Sequence, residues 1–245
     1  MLDIIQNHYQ LLLVGTFPNG PLGGLALTLI LSVLGLIAAF PLSILLALGR
    51  LSPIGPIRYV ATTIVYVVRG TPLLMLIFWS YFLLPLLIGN TVSAFATLLC
   101  SLVIYEAAYL SEVVRAGIVA LPPGQVEAAR ALGFGRAKTM VYIVLPQAIY
   151  NMLPSLVSQF ASLIKETSLG YVISVHELTS AANRLNSELL TKPFEVFSIL
   201  ALTYFLVCTF VTFVAHVIER RVARRREGQS NPSIRVHRDQ IYESQ

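Results

Sequence analysis

The sequence predicts an all-α membrane protein of five transmembrane helices, with the N-terminus outside and the C-terminus in the cytoplasm. Three observations carry that prediction. Only 12% of the 245 residues are charged and 56% are apolar, whereas a soluble domain carries about 25% charged residues. The charges are also segregated: none lies between Asp3 and Arg50, Arg69 and Glu106, Lys138 and Lys165, or Glu195 and Glu219. Each gap can hold the roughly 20-residue apolar helix that a bilayer core requires. Finally, the basic residues recur on alternate connections, as the positive-inside rule demands.

Residues 1–21 form an extracytoplasmic N-terminal segment without a basic stretch or a small-residue cleavage site, so the first span is expected to target the chain. Span one covers roughly Leu22–Leu48. Its Gly35 and Pro41 are tolerable because neighbouring helices can satisfy the freed backbone groups. Span two follows the Leu51–Arg58 turn and ends near Pro85, where Gly89-Asn90 supplies a second turn. Span three is roughly Ser93–Arg115, span four about Pro146–Ile164 and span five about Val196–Ile218. Basic residues at Arg50 and Arg58, between Arg115 and Lys138, and after Arg220 place those segments inside. The loop from Lys165 to Lys192 is mildly discordant, with three basic residues on the side assigned to the exterior. Residues 22–219 thus form the transmembrane domain, and 220–245 a basic cytoplasmic tail expected to be disordered.

The cytoplasmic connection 117–146 is too long to be structureless. Pro122-Pro123 suits a helix start. Glu127, Ala128, Ala129 and Leu132 continue the helix, and Gly133 can end it in a left-handed cap. A second helical run, Arg136 to Leu145, leads into span four. The alanines serve helix propensity alone, or they leave a thin surface that another protein's groove can approach.

Several function classes are excluded. The net charge of +5 does not point to nucleic acid, because seven of the seventeen basic residues lie between Arg220 and Arg238. Cys100 and Cys208 both sit in apolar runs and offer neither a disulfide framework nor metal spacing. A phosphate-binding loop needs Gly-Lys-Ser/Thr, but Lys138, Lys165 and Lys192 follow Ala, Ile and Thr. Energy for any transport must come from a partner or an ion gradient.

Glu127-Ala128-Ala129, then Gly133 after three residues, then Ile143-x-Leu145-Pro146 after nine more, resembles the EAA loop of bacterial ABC-importer permeases. Further stretches resemble the polar amino-acid uptake permeases. These are Gly24 with Leu27-Thr28-Leu29, Arg69-Gly70-Thr71-Pro72-Leu73, Ala108-Tyr109 with Glu112, Arg115 and Gly117, and Thr167-Ser168-Leu169. Trp79-Ser80-Tyr81 and Tyr105-Glu106-Ala107-Ala108-Tyr109 look most like glutamate/aspartate permeases. The resemblance implies a permease subunit in the bacterial cytoplasmic (inner) membrane, paired with a like or sister permease. It also implies a soluble ABC ATPase dimer beneath the coupling helix between spans three and four, and an extracytoplasmic amino-acid-binding protein. Glu127, Ala128, Ala129 and Gly133 would couple to the ATPase. ATP and magnesium would be bound by that partner, leaving this chain without a cofactor, a metal or an enzymatic site of its own.

Span four carries the clearest candidate pathway. Gln147, Asn151, Ser155, Ser158/Gln159 and Ser162 recur at spacings of three and four, giving one polar stripe that ends at Lys165-Glu166. Such residues either pack helices together or line a route, and Gln and Asn find no partners in lipid. Glu106 in span three and Arg69 in span two, beside Thr71, are ionisable groups at depth, where each costs about 2.5–3.5 kcal/mol. They either pair with each other or bracket a zwitterion, with its carboxylate at Arg69 or Lys165 and its ammonium at Glu106 or Glu166. Two basic groups would suit glutamate or aspartate. Glu112 and Arg115, one turn apart, read as a structural pair, and His216 as a helix contact. The rival functions are a proton-coupled secondary transporter using Glu106, which lacks the expected internal repeat, and a non-transporting anchor, which leaves the polar stripe without purpose. Glutamine, histidine or arginine remains an alternative ABC substrate.

Overall fold

The computed structural model describes residues 2–229. Ten α-helices are present among them: α1 (Leu2–Val14), α2 (Gly24–Arg50), α3 (Gly55–Gly70), α4 (Leu73–Ile88), α5 (Ala94–Val119), α6 (Pro123–Ala131), α7 (Arg136–Thr139), α8 (Leu145–Glu166), α9 (Leu178–Leu189) and α10 (Pro193–Gln229). Four membrane spans stand out by length and hydropathy: Gly24–Arg50, Ala94–Val119, Arg136–Ile173 and Pro193–Val217. A fifth is reached when α3 and α4 are taken as one span broken by a 102° bend. Span two is therefore not a straight helix. Pro72 cannot donate a backbone hydrogen bond and pushes Thr71 into extended geometry, at φ −102° and ψ 131°, so the chain turns there.

The centre is built on α2 and α5, which pack along one another. Thr28, Ser32, Gly35, Ala39, Ser43 and Ala47 form a buried stripe of small residues on α2. Thr97, Ser101, Ala107, Ala108 and Ser111 are buried on α5. Small side chains let helices approach closely where lipid gives no hydrophobic drive to associate. The serine hydroxyls bond within their own helices, Ser32 to the Thr28 carbonyl at 2.7 Å and Ser101 to that of Thr97 at 2.9 Å. Leu31, Leu73, Ile77, Leu98, Leu102 and Leu163 fill the space between α2, α4, α5 and α8. Outward faces carry large apolar residues, among them Ile37, Leu45, Phe205 and Phe210, as a lipid-facing surface should.

Two expectations change, and the reading of 117–146 as two helical runs is refined. Residues 1–21 contain helix α1, whose Ile4 and Leu12 pack with Leu178, Leu185, Val196 and Ile199, so the segment belongs to the bundle. The stretch 117–146 is mostly helical: α5 runs on to Val119, and α7 joins α8 through a π-helical turn, Met140–Val144. Pro146 explains that turn. Its nitrogen cannot donate to the Tyr142 carbonyl, so the backbone widens locally, and the Gln147 side chain donates to the neighbouring Ile143 carbonyl at 2.8 Å. At the other end α10 continues through 220–229. The rest of the expected disordered tail, 230–245, lies outside the described residues.

Candidate functional site

The polar stripe of α8 meets α5 through one side-chain hydrogen bond. Glu106 is fully buried, and its Oε1 accepts a hydrogen bond from Gln159 Nε2 at 3.1 Å. Its other oxygen, Oε2, is buried with no hydrogen-bond partner, as is Oε2 of Glu166. The two carboxyl groups lie within electrostatic reach of one another. A pair of acceptors with two free oxygens suits a group carrying several N–H donors, such as an ammonium. Tyr105 and Tyr109 stack beside them, with ring centroids 4.7 Å apart and hydroxyls 3.2 Å apart.

Lys165 is exposed and opens onto a groove of about 510 Å³ against α10, lined also by Tyr204, Cys208, Thr209 and His216. Its ammonium makes no hydrogen bond or ion pair with the described residues. Elsewhere on the stripe Asn151 and Gln147 are half-buried, while Ser155 and Ser158 are exposed. The Thr71 hydroxyl bonds to the Val67 carbonyl at 2.8 Å and so serves the end of α3.

Arg69 stands apart from Glu106, and neither a hydrogen bond nor an ion pair joins them. It approaches Glu112 Oε2 at 3.7 Å and lies over the Tyr109 ring, 5.2 Å from its centroid. The expected Glu112–Arg115 pair is present. A third partner was not foreseen: Arg50 Nη1 donates to Glu112 Oε2 at 2.5 Å. Its position at the end of span one, facing a carboxylate in span three, was the available signal.

The EAA segment forms a separate surface. Helix α6 ends in a Schellman motif: the Gly133 N–H donates to the Arg130 carbonyl at 3.0 Å and the Phe134 N–H to that of Ala129 at 3.1 Å. Gly133 has φ +84°, which a β-branched residue resists. Glu127 and Ala128 face outward, whereas Ala129 is buried and cannot form part of a docking face. Leu132 is 79% exposed, a large apolar side chain presented beside Glu127 and Ala128. Val126 points the other way, into the cluster of Ala47, Val114, Ile118 and Val144, and so fixes α6 to the spans.

Comparison with known proteins shows the family. Residues 39–224 match the family described as binding-protein-dependent transport system inner membrane component. The chain is 36% identical over 202 residues to the L-cystine transport system permease protein TcyB of Bacillus subtilis (strain 168), covering 82% of this chain and 86% of that one. It is 36% identical over 203 residues to the inner membrane amino-acid ABC transporter permease protein YhdY of Escherichia coli (strain K12), covering 81% of this chain and 55% of that protein. A solved amino acid ABC transporter with histidines superposes with a TM-score of 0.74 at 37% identity, over 81% of this chain and 92% of the other. The chain therefore belongs to the binding-protein-dependent permeases, as an inner-membrane, multi-pass subunit of an ABC importer for polar amino acids.

Proposed function

We propose that the substrate crosses along α8 as a zwitterion, its ammonium received between Glu106 and Glu166 and its carboxylate at Lys165. The two buried carboxylate oxygens without partners carry this reading. An unmatched buried acceptor costs about 1–3 kcal/mol or more when charged, and an entering ammonium would repay that cost. Gln147, Asn151, Ser155 and Gln159 would supply neutral contacts on the way. ATP hydrolysis takes place in a separate ATPase chain docked on Glu127, Ala128 and the end of α6 at Gly133. A like or sister permease completes the membrane unit, and an extracytoplasmic binding protein delivers the amino acid.

Within the polar amino acids, a neutral or cationic side chain suits this arrangement better than a second carboxylate. Part of the expectation of glutamate or aspartate rested on Arg69 acting together with Lys165, and Arg69 lies instead beside Glu112, at 3.7 Å, and over the Tyr109 ring. Cystine and histidine, named with two of the similar proteins, both present ammonium groups without an uncompensated acidic side chain. Uptake into proteoliposomes with a fixed binding protein and ATPase, using labelled glutamate, aspartate, glutamine, arginine, histidine and cystine, decides the class. A preference for glutamate and aspartate that Arg69→Lys abolishes would return Arg69 to the route and overturn the side-chain assignment. Uptake that stops on ATP depletion and survives collapse of the proton gradient excludes proton coupling through Glu106.

A further inference from the structure

A second polar cavity, of about 450 Å³, opens between α2, α3 and α5. Four arginines line it, Arg50, Arg58, Arg69 and Arg115, against a single carboxylate, Glu112. Arginine stays charged in proteins, so the cavity holds three positive charges that its own wall does not neutralise. Glu112 is already committed. It accepts from Arg50 at 2.5 Å and from Arg115 through both Nε and Nη2, which leaves little capacity for the other two. Arg69 reaches it only at 3.7 Å, beyond hydrogen-bonding distance. The Arg58 side chain makes no ion pair or hydrogen bond with the described residues.

The sequence builds this basic wall deliberately along α3. Arg58, Thr62, Tyr66 and Arg69 are spaced by four, four and three residues and share one helical face. Ring contacts hold the guanidinium groups in place: Arg50 lies 5.9 Å from the Tyr66 centroid and Arg69 5.2 Å from that of Tyr109. No residue of α8 lines the cavity, which separates it from the proposed substrate route. Beside it on α3, Tyr59, Val60, Ile64 and Val67 are exposed apolar residues, 74%, 56%, 45% and 61% accessible.

We propose that this cavity binds a phosphate-bearing anion, supplied by an anionic phospholipid headgroup or by free phosphate. Guanidinium forks match the several oxygens of a phosphate with short, charge-assisted hydrogen bonds. Thr62 can add a hydroxyl donor. A headgroup seated here would lay its acyl chains along the exposed apolar face of α3, and basic pockets between membrane helices are suited to such headgroups.

The test uses the purified full-length permease in neutral phosphatidylcholine nanodiscs. Its thermal unfolding midpoint is followed on addition of phosphatidylglycerol, inorganic phosphate or glutamate. Arg58 is exposed and unpartnered, so Arg58→Gln should fold normally while weakening apparent affinity for the phosphate group by about tenfold, one lost charge-assisted contact. Arg58→Lys should lose less. A midpoint raised by phosphatidylglycerol alone, and reduced in Arg58→Gln, identifies the lipid. An equal rise with inorganic phosphate identifies the free anion. No rise with either, a rise that Arg58→Gln leaves unchanged, or a larger rise with glutamate than with phosphate overturns the proposal.

Discussion

Gln159 Nε2 donates to Glu106 Oε1 at 3.1 Å, and through this bond the polar face of α8 reaches a carboxylate sealed inside α5. The bond satisfies one oxygen and orients the other. An amide at position 159 donates without adding charge, so the second oxygen of Glu106 stays available to an incoming cation.

Glu106→Gln should therefore lower uptake of every transported amino acid by at least about tenfold, the value of one charge-assisted hydrogen bond. The protein should still insert and assemble, because Gln keeps the shape and can still pair with Gln159. The measurement is initial uptake rate in proteoliposomes, normalised to permease reconstituted. Wild-type rates for the whole panel would remove Glu106 from the route.

Gly133→Val should weaken coupling while sparing insertion. A valine at φ +84° meets a strain of roughly 1–2 kcal/mol, enough to unwind the end of α6 and displace Leu132. Glu127→Lys should act on the same contact by reversing its charge. Co-purification with the ATPase partner should fall for both variants, and ATP-driven uptake with it. Normal uptake by both would refute docking at α6.

The purified chain alone should hydrolyse no ATP, and adding the ATPase partner should supply turnover. Phosphate release from rigorously purified permease is the measurement. Turnover by the permease alone would sink the division of labour between chains.

The spans were legible in the sequence because charge-free stretches and helix length are set by the bilayer, one residue at a time. The end of α6 was legible for a related reason: glycine at position 133 answers a local steric demand, and the structure puts it at positive φ. That Arg69 lies by Glu112 and not Glu106 was not legible, because an ion pair across two helices depends on the bend at Thr71-Pro72, and no local pattern records which carboxylate that bend brings near. Helix α9 was missed although Leu178, Ala181, Ala182, Leu185 and Leu189 repeat at helical spacing, because it is short and follows a loop read only for its charges. Ala129 shows the limit of motif matching. Its place in the EAA pattern was clear, but which way it faces follows from how α6 packs through Val126.

That overlooked helix carries the last prediction. Glu177 caps α9, accepting from the Thr179 N–H at 2.8 Å and the Ser180 N–H at 2.9 Å, and it also accepts from the Tyr204 hydroxyl at 3.1 Å. It is fully buried, and burial raises its pKa from 4.5 to about 7 despite these bonds. Between those values the folded chain holds a proton that the unfolded chain has released. Stability from this group is thus fully present below pH 4.5 and lost as pH rises through about 7, amounting to at most about 3 kcal/mol. Leu178 N–H donates to the Thr28 hydroxyl at 3.1 Å, which ties the start of α9 to α2. The thermal midpoint of purified permease should fall between pH 5 and pH 7.5. In Glu177→Gln the same interval should be flatter, because an amide keeps an acceptor for the helix and has no proton to lose. An equal fall in wild type and variant would assign the pH response to other groups.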